Sequence, residues 1–137
     1  MLSLLLDLGF DPNERVRVSA MDEVVYSAGG PLYFCVTTRN RQMAELLLAK
    51  GADPNASVYT AGSPLFRAYA NKDSKFIELL ESHGGRLDAI SVGFACQTEA
   101  ARQLLAEEAT GHLRPESVSP NGTVSEDLLW SGAGGGR

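Results

Sequence analysis

The hydrophobic residues of the chain recur at helical spacing in short segments, each of which ends at a glycine. In the clearest segment, residues 74–83, four apolar side chains share one broad stripe: Phe76, Ile77, Leu79 and Leu80. Gly84 follows that segment, and Gly9 and Gly51 hold the same place after two others. Because a left-handed helix end favours glycine, the pattern predicts a series of short amphipathic helices.

A shorter helix is predicted before each amphipathic helix. Ser63 offers a hydroxyl cap, and Pro64 follows at the first helical position, where its missing N–H is no loss. The helix that begins there is expected to reach about Asn71. The Asp-Pro-Asn segment after the helix-ending glycine is typical of a turn, and residues 56–62 are rich in Ser, Thr, Val and Tyr. That composition predicts a short β-hairpin between successive helix pairs.

The helix pair repeats along the chain. A step of 33 residues separates Gly51 from Gly84, and the same step separates Glu45 from Glu78. A first copy, residues 4–13, precedes its partner by 42 residues, so that nine extra residues lie between the first two units. A fourth copy, at 103–105, follows after only 25 residues and is therefore shortened.

The repeat resembles the ankyrin repeat. The resemblance rests on Gly51-Ala52-Asp53-Pro54-Asn55 followed by Ser63-Pro64-Leu65-Phe66 at this period, and it covers about residues 2–106. It implies an all-α solenoid of helix-turn-helix repeats with β-hairpin loops: a partial unit at 1–13, full units at about 30–55 and 56–88, and a shortened last unit at 89–106. The usual Thr-Pro-Leu-His of the family is replaced by Ser63–Phe66 in one unit and Gly30–Tyr33 in the other, so aromatic packing is expected there.

Two features at the ends of the chain depart from a regular array. The first unit has only its second helix, which leaves open an abrupt start or a piece of a longer array. Residues 107–137 are rich in Gly, Pro and Ser, and few apolar residues accompany Leu128-Leu129-Trp130. Such a segment buries too little surface to offset its ordering entropy, so a flexible C-terminal tail is predicted. The alternative is that it folds back over the last apolar helix.

Charge and cysteine content restrict the functional classes. The net charge is −5 and the basic residues are scattered, which disfavours a nucleic-acid partner. Two cysteines distant in sequence indicate a reducing, cytoplasmic environment, and no apolar run is long enough to span a membrane. By alignment Cys35 is expected in the core, and Cys96 nearer the exposed side.

No group of residues has the spacing of a catalytic or metal site. The two histidines, His83 and His112, lack a second ligand at zinc-binding spacing and cannot complete a Ser/His/Asp set. The acids Asp22 and Glu23 fall in the inserted loop, with no acidic partner implied nearby. We therefore predict that the chain is not an enzyme and binds no cofactor or metal.

The resemblance implies a protein partner that contacts the concave face and the hairpin tips. The insertion at 14–30 alternates polar and apolar residues and predicts a longer hairpin, although a tolerated loop insertion is the alternative. The predicted contacts are Ser57, Tyr59, Thr60 and Gly62 in the hairpin, Thr37, Thr38, Ala70 and Asn71 on the first helices, and Arg15, Arg17 and Tyr26 in the insertion. Tyr59 is the strongest candidate, since exposed rigid rings are common interface anchors.

The predicted function is thus that of a monomeric protein–protein interaction module. The alternative is a structural part: a terminal piece of a longer ankyrin array, or a regulatory domain appended to another protein.

Overall fold

The computed structural model describes residues 1–14, 30–56, 62–120 and 122–135. The chain divides into two compact units, Met1–Arg86 and Leu87–Arg137. Every regular element within the described ranges is a helix, and none is a strand, which confirms the all-α prediction. The two predicted hairpins, at 56–62 and 14–30, lie almost wholly outside the described residues.

The described residues of the first unit form one single helix and two helix pairs. The helices are α1 (Leu2–Asp7), α2 (Pro31–Thr38), α3 (Arg41–Ala49), α4 (Pro64–Ala70) and α5 (Ser74–Ser82). Helix α2 packs against α3 and α4 packs against α5, while α2 also packs against α4. The Lys50 ammonium lies 2.7 Å from the Asp7 carboxylate, and this bond lowers the pKa of Asp7.

The predicted helix ends are confirmed. The Ser63 hydroxyl accepts a hydrogen bond from the backbone N–H of Phe66 at 3.2 Å, and α4 begins at Pro64. The glycines that follow α3 and α5, Gly51 and Gly84, have φ of +89° and +85°. These values lie in the left-handed region, where a side chain would be strained.

Each helix pair turns at a corner of the same geometry. Arg39 follows α2 directly and Lys72 follows Asn71, the C-cap of α4, with φ of 57° and 53°, although neither residue is glycine. The next residue then caps the second helix: Asn40 accepts a hydrogen bond from Met43 N–H, and Asp73 accepts one from Phe76 N–H. The period of 33 residues therefore preserves the corner as well as the helices.

The apolar stripes of the first unit are buried as the pattern predicted. Leu47 of α3 and Leu80 of α5 are fully buried. The other buried hydrophobic residues of the two pairs are Leu32, Cys35, Val36, Ala44, Leu48, Ala52, Leu65, Ala68, Phe76 and Leu79. Residues from both helices of each pair contribute, so one core runs through both pairs.

The side chain of Asn55 joins one helix pair to the turn that follows the next pair. Its Nδ2 donates to the carbonyl oxygen of Gly84 at 3.1 Å, and its Oδ1 accepts from the N–H of Arg86 at 2.7 Å. The Asp53 carboxylate accepts from the backbone N–H of Asn55 at 2.8 Å and so holds it in place. We call this double hydrogen bond the asparagine clasp.

The asparagine clasp occurs twice in the first unit. Asn13 donates to the carbonyl oxygen of Gly51 at 3.1 Å and accepts from the N–H of Asp53 at 2.7 Å, in the same register. The equivalent of Asn55 one period later is Asp88, whose carboxylate has no N–H to donate. It instead accepts from the N–H of Ser91 at 2.7 Å and caps the next helix.

The second unit contains three helices and one short 3₁₀ turn. These are α6 (Ala89–Phe94), α7 (Thr98–Ala109), the turn Pro115–Ser117 and α8 (Val124–Gly135). Their core consists of Ala89, Val92, Leu104 and Val124, with partly buried apolar residues around it. Helix α8 approaches α6 closely where Gly93 meets Ser131. The approach is so close that a Cβ on Gly93 would overlap the Ser131 hydroxyl.

The prediction of a flexible tail over residues 107–137 is wrong for α8. Val124 is fully buried in the core, and the buried Asp127 carboxylate accepts two hydrogen bonds from Ser119, at 2.7 Å from N–H and 2.6 Å from Oγ. The composition argument failed because small residues such as Ser131 allow backbone approach, so α8 packs well with few large side chains. The two compact units meet between Arg86 and Leu87, and the repeat-domain boundary expected at 106 and 107 stays a prediction.

Replacement of Asn55 by Ala should lower the free energy of unfolding by about 1–3 kcal/mol, since two hydrogen bonds are lost. Asn55→Asp keeps the acceptor for Arg86 N–H but places a carboxylate oxygen against the Gly84 carbonyl oxygen, so its loss should be at least as large. Urea unfolding followed by circular dichroism measures both. Asn71→Ala is the matched control and should change stability by less than about 0.5 kcal/mol. An Asn55→Ala value as small as that of the control would show that the clasp does not stabilise the array.

Replacement of Gly93 by Ala should destabilise the second unit by about 1–3 kcal/mol, because the added methyl group forces α6 and α8 apart. The control is Gly132→Ala, one residue after Ser131, where a Cβ meets no atom within 4 Å. It should stabilise α8 by about 0.5–1 kcal/mol. The fluorescence of Trp130, the single tryptophan, reports α8 during urea unfolding. Equal effects of the two substitutions would contradict the close α6–α8 contact.

Candidate partner-binding surface

The structure describes five of the predicted contact residues. Thr37 and Thr38 end α2 and are exposed, while at the equivalent end of α4 Ala70 is exposed and Asn71 is half-buried. Since α2 packs against α4, these four residues lie on neighbouring helix ends. The fifth is Gly62. The other predicted contacts, Ser57, Tyr59, Thr60, Arg15, Arg17 and Tyr26, lie outside the described residues.

The two threonine hydroxyls are already engaged with their own helix. Thr37 Oγ1 donates to the carbonyl oxygen of Tyr33 at 3.0 Å, and Thr38 Oγ1 donates to that of Phe34 at 2.9 Å. Each hydroxyl has one proton to donate, so the free oxygen lone pairs and methyl groups remain for a partner. The exposed end of α2 is therefore an acceptor and apolar surface.

Phe34 is the feature of this surface that sequence reasoning missed. Its side chain is 62% exposed, although it belongs to a helix whose other large apolar residues are largely buried. Phe34 precedes Thr37 and Thr38 by three and four residues, so the three side chains share one face of α2. That spacing is the signal that could have found it, because the threonines were already predicted contacts.

The α4 residue equivalent to Phe34 is Arg67. Its Nε is buried and has no hydrogen-bond partner among the described residues. A buried guanidinium N–H without an acceptor is energetically unfavourable. Arg67 therefore carries an unsatisfied donor, and it lies on the helix that packs against the helix of Phe34.

The local backbone structure alone explains why residue 62 is a glycine. Its φ is +77°, and a Cβ at this position would overlap the ring of Phe66. The chain enters α4 along this path, so glycine is required here whether or not a partner binds.

The two cysteines have contrasting surroundings. Cys35 is fully buried in α2, and burial raises the pKa of its thiol to about 11. Cys96 is exposed at the corner between α6 and α7, with φ of 52°. Both placements confirm the expectations from the alignment.

The repeated helix pairs, corners and asparagine clasps define a helical repeat protein. Residues 30–57, which contain the α2–α3 pair and the turn after it, match the family model of the ankyrin repeat. Residues 30–57 are therefore an ankyrin repeat, as the residue spacing predicted. No curated protein and no solved structure gives a significant match.

Ankyrin repeats are in general protein–protein interaction modules and are typically not enzymes. Within the described ranges, no helix combines the length and the apolar character needed to cross a membrane.

The thiol environments predict two different reaction rates with a disulfide reagent such as DTNB. At pH 8 a thiol with a pKa of about 11 is ionised in on the order of one molecule in a thousand, and Cys35 is also sterically shielded. One thiol per chain should therefore react quickly, and the second only in denaturant. Cys96→Ser should remove the fast phase. Two fast thiols in the native protein would contradict the burial of Cys35.

Burial of Cys35 also predicts a loss of stability at alkaline pH. Its folded pKa of about 11 lies above the ordinary value of 9.0, so the neutral thiol contributes stability fully below pH 9. That contribution should disappear as the pH rises from about 9 to about 11. Urea unfolding at several pH values measures it, with Cys35→Ala as the control that should lack this component.

Proposed function

We propose that the chain binds a protein partner through the outer faces of α2 and α4 and through residues 56–62, where the sequence predicts a hairpin. The observation that carries this proposal is the exposed Phe34 side chain, which lies on the face shared with Thr37 and Thr38. In this proposal Tyr59, Ser57 and Thr60 of the hairpin extend the surface.

The fold does not account for Phe34. The residues of α2 that build the core are Leu32, Cys35 and Val36. A phenylalanine left mostly in water stabilises little by burial, since the hydrophobic contribution scales with the apolar area removed from water. Aromatic residues in such positions are enriched among interface anchors, where a partner supplies the missing burial.

The surroundings of Phe34 supply a polar rim for such an anchor. Thr37 and Thr38 offer acceptor oxygens whose geometry is fixed by bonds to the helix, and Asn71 offers an amide at the equivalent position of α4. A contact built on rigid helices loses little conformational entropy on binding. This arrangement favours recognition of a peptide segment or a protein surface by a monomer.

The longer insertion, with Arg15, Arg17 and Tyr26, forms a second part of the proposed contact surface. Both cysteines are free, in keeping with a partner met in the reducing cytoplasm.

The second candidate function is a docking part of a larger ankyrin array or of a regulated protein. The observation in its favour is an apolar surface on α1 and the turn after it, which we call the first turn region. Leu4, Leu8 and Phe10 are all more than half exposed there. Side chains of this kind are normally covered by a neighbouring repeat in repeat proteins.

A displayed library of random peptides tests the first proposal. We expect the intact protein to enrich peptides whose binding is lost in Phe34→Ala. The matched control is Phe10→Ala, which removes the same side chain at a 54% exposed position of the first turn region. Both variants should keep the wild-type unfolding free energy within about 0.5 kcal/mol, because neither residue belongs to the core.

Peptides that bind the Phe34→Ala variant as well as the wild type would exclude the α2 face from recognition. Peptides lost in Phe10→Ala but retained in Phe34→Ala would instead support the second candidate.

A further inference from the structure

The cations of the first unit form a pattern that charge counting along the sequence does not show. Arg39 and Lys72 occupy equivalent corners and are both exposed. Because α2 packs against α4, and packed helices lie about 8–10 Å apart, the two corners are neighbours. Arg41 and Lys75 follow within three residues of each corner and are also exposed. We call these four residues the corner cations.

Helix electrostatics does not explain two of the corner cations. Arg41 opens α3 and Lys75 lies in the first turn of α5, where the positive end of the helix dipole disfavours a cation. Neither first turn contains an acidic residue. Arg41 does bond Glu45 at 2.8 Å, but with Arg on the N-terminal side and both side chains nearly half exposed, the pair stabilises little.

The other three corner cations form no ion pair with an acid in the part of the chain that the structure describes. Among the described residues, Arg39, Lys72 and Lys75 have no carboxylate within salt-bridge distance. Asp73, which lies between the two lysines, uses a carboxylate oxygen to cap α5. In a chain of net charge −5, this is a local concentration of unpaired positive charge.

The apolar anchor lies next to this charge. The exposed stripe of α2 leads from Phe34 through Thr38 to Arg39 at the end of the helix. Arg67, at the position of α4 equivalent to Phe34, adds a guanidinium whose Nε lacks an acceptor. Phe34 thus lies on a helix that ends at Arg39 and packs against the helix of Arg67. Of the four corner cations only Arg41 pairs with an acid of the described residues.

We propose that the partner contacts this surface with an acidic peptide segment that carries an apolar residue for Phe34. Carboxylates are the groups that match guanidinium and ammonium donors, and arginine can bind a carboxylate through two parallel hydrogen bonds. The inference rests on the proposed function of the α2 face and specifies its ligand. A peptide is favoured over a nucleic acid because the cations border an aromatic anchor and form a short cluster, whereas phosphate backbones require an extended basic surface.

The same displayed library, with the full chain as bait, tests the charge of the partner. Peptides that depend on Phe34 should be enriched in Asp and Glu around an aromatic or large aliphatic residue. A synthetic, fluorescein-labelled copy of the most enriched peptide should bind in fluorescence anisotropy, with an affinity that falls as NaCl rises from about 0.05 to about 0.5 M. The double variant Arg39→Glu/Lys72→Glu should weaken its binding about tenfold or more.

The matched control is Arg102→Glu/Arg114→Glu, which changes the net charge by the same amount at exposed sites of the second unit. It should leave the affinity within about twofold of the wild type, because neither arginine belongs to the proposed contact surface. Circular dichroism of both double variants establishes that they are folded.

Three results would overturn the inference, and they are distinguishable from failure of the proposed function. The Phe34-dependent peptides could contain no excess of Asp and Glu and bind the Arg39→Glu/Lys72→Glu variant as well as the wild type. The α2 face would then remain a binding site, but an acidic ligand would be excluded. Equal losses in the corner and control variants would show a general charge effect. A fluorescent single-stranded oligonucleotide is compared with the peptide in the same assay. If it binds more tightly, and loses more affinity in the Arg39→Glu/Lys72→Glu variant, the corner cations bind phosphate groups instead of carboxylates. Absence of any Phe34-dependent peptide would remove the proposed function and this inference together.

Discussion

The arrangement of the first unit depends on the asparagine clasp. One amide, Asn55, satisfies a carbonyl oxygen and an N–H two residues apart in the turn of the following repeat. Both groups belong to a turn, where no helix supplies partners, so an alternative register would leave them to water. The clasp at Asn13 makes the same two bonds, so the turn after α1 is joined to the first helix pair in the same register as that pair is joined to the second. Hydrophobic packing alone is non-directional and would not select that register.

Because the register is fixed, residues at equivalent positions of successive repeats are brought onto neighbouring helices. Residues separated by 33 positions occupy equivalent places on packed helices, as Arg39 and Lys72 do at the corners and Phe34 and Arg67 do within α2 and α4. Charges that are scattered along the chain are thus concentrated on one edge of the first unit. The absence of a basic run in the sequence is for this reason a poor guide to the electrostatics of a repeat protein.

Local rules made most of the first unit predictable. The caps at Ser63 and the left-handed glycines follow from hydrogen-bonding groups within a few residues, and the buried stripes follow from helical period. The role of Asn55 was not predictable in the same way, because Asp-Pro-Asn is also ordinary turn chemistry and its partners lie 29 and 31 residues away. Phe34 escaped notice because an apolar residue in a helix is expected in the core, and only the packing shows which face it occupies.

In the second unit, local sequence signals predict less of the structure than they do in the first, and packing determines more of it. Thr123 and Glu126 form a reciprocal capping box at the start of α8, with the Glu126 carboxylate accepting from Thr123 N–H at 3.0 Å, and this signal is readable from sequence. Composition nevertheless favoured disorder, since it counts large apolar side chains and the α6–α8 contact depends on their absence at Gly93. Asp88 makes no clasp and caps α6 instead, and the specific contact of the second unit is the close approach of α8 to α6 at Gly93. The ankyrin pattern thus determines the first unit, while the second is stabilised by a helix that the pattern does not contain.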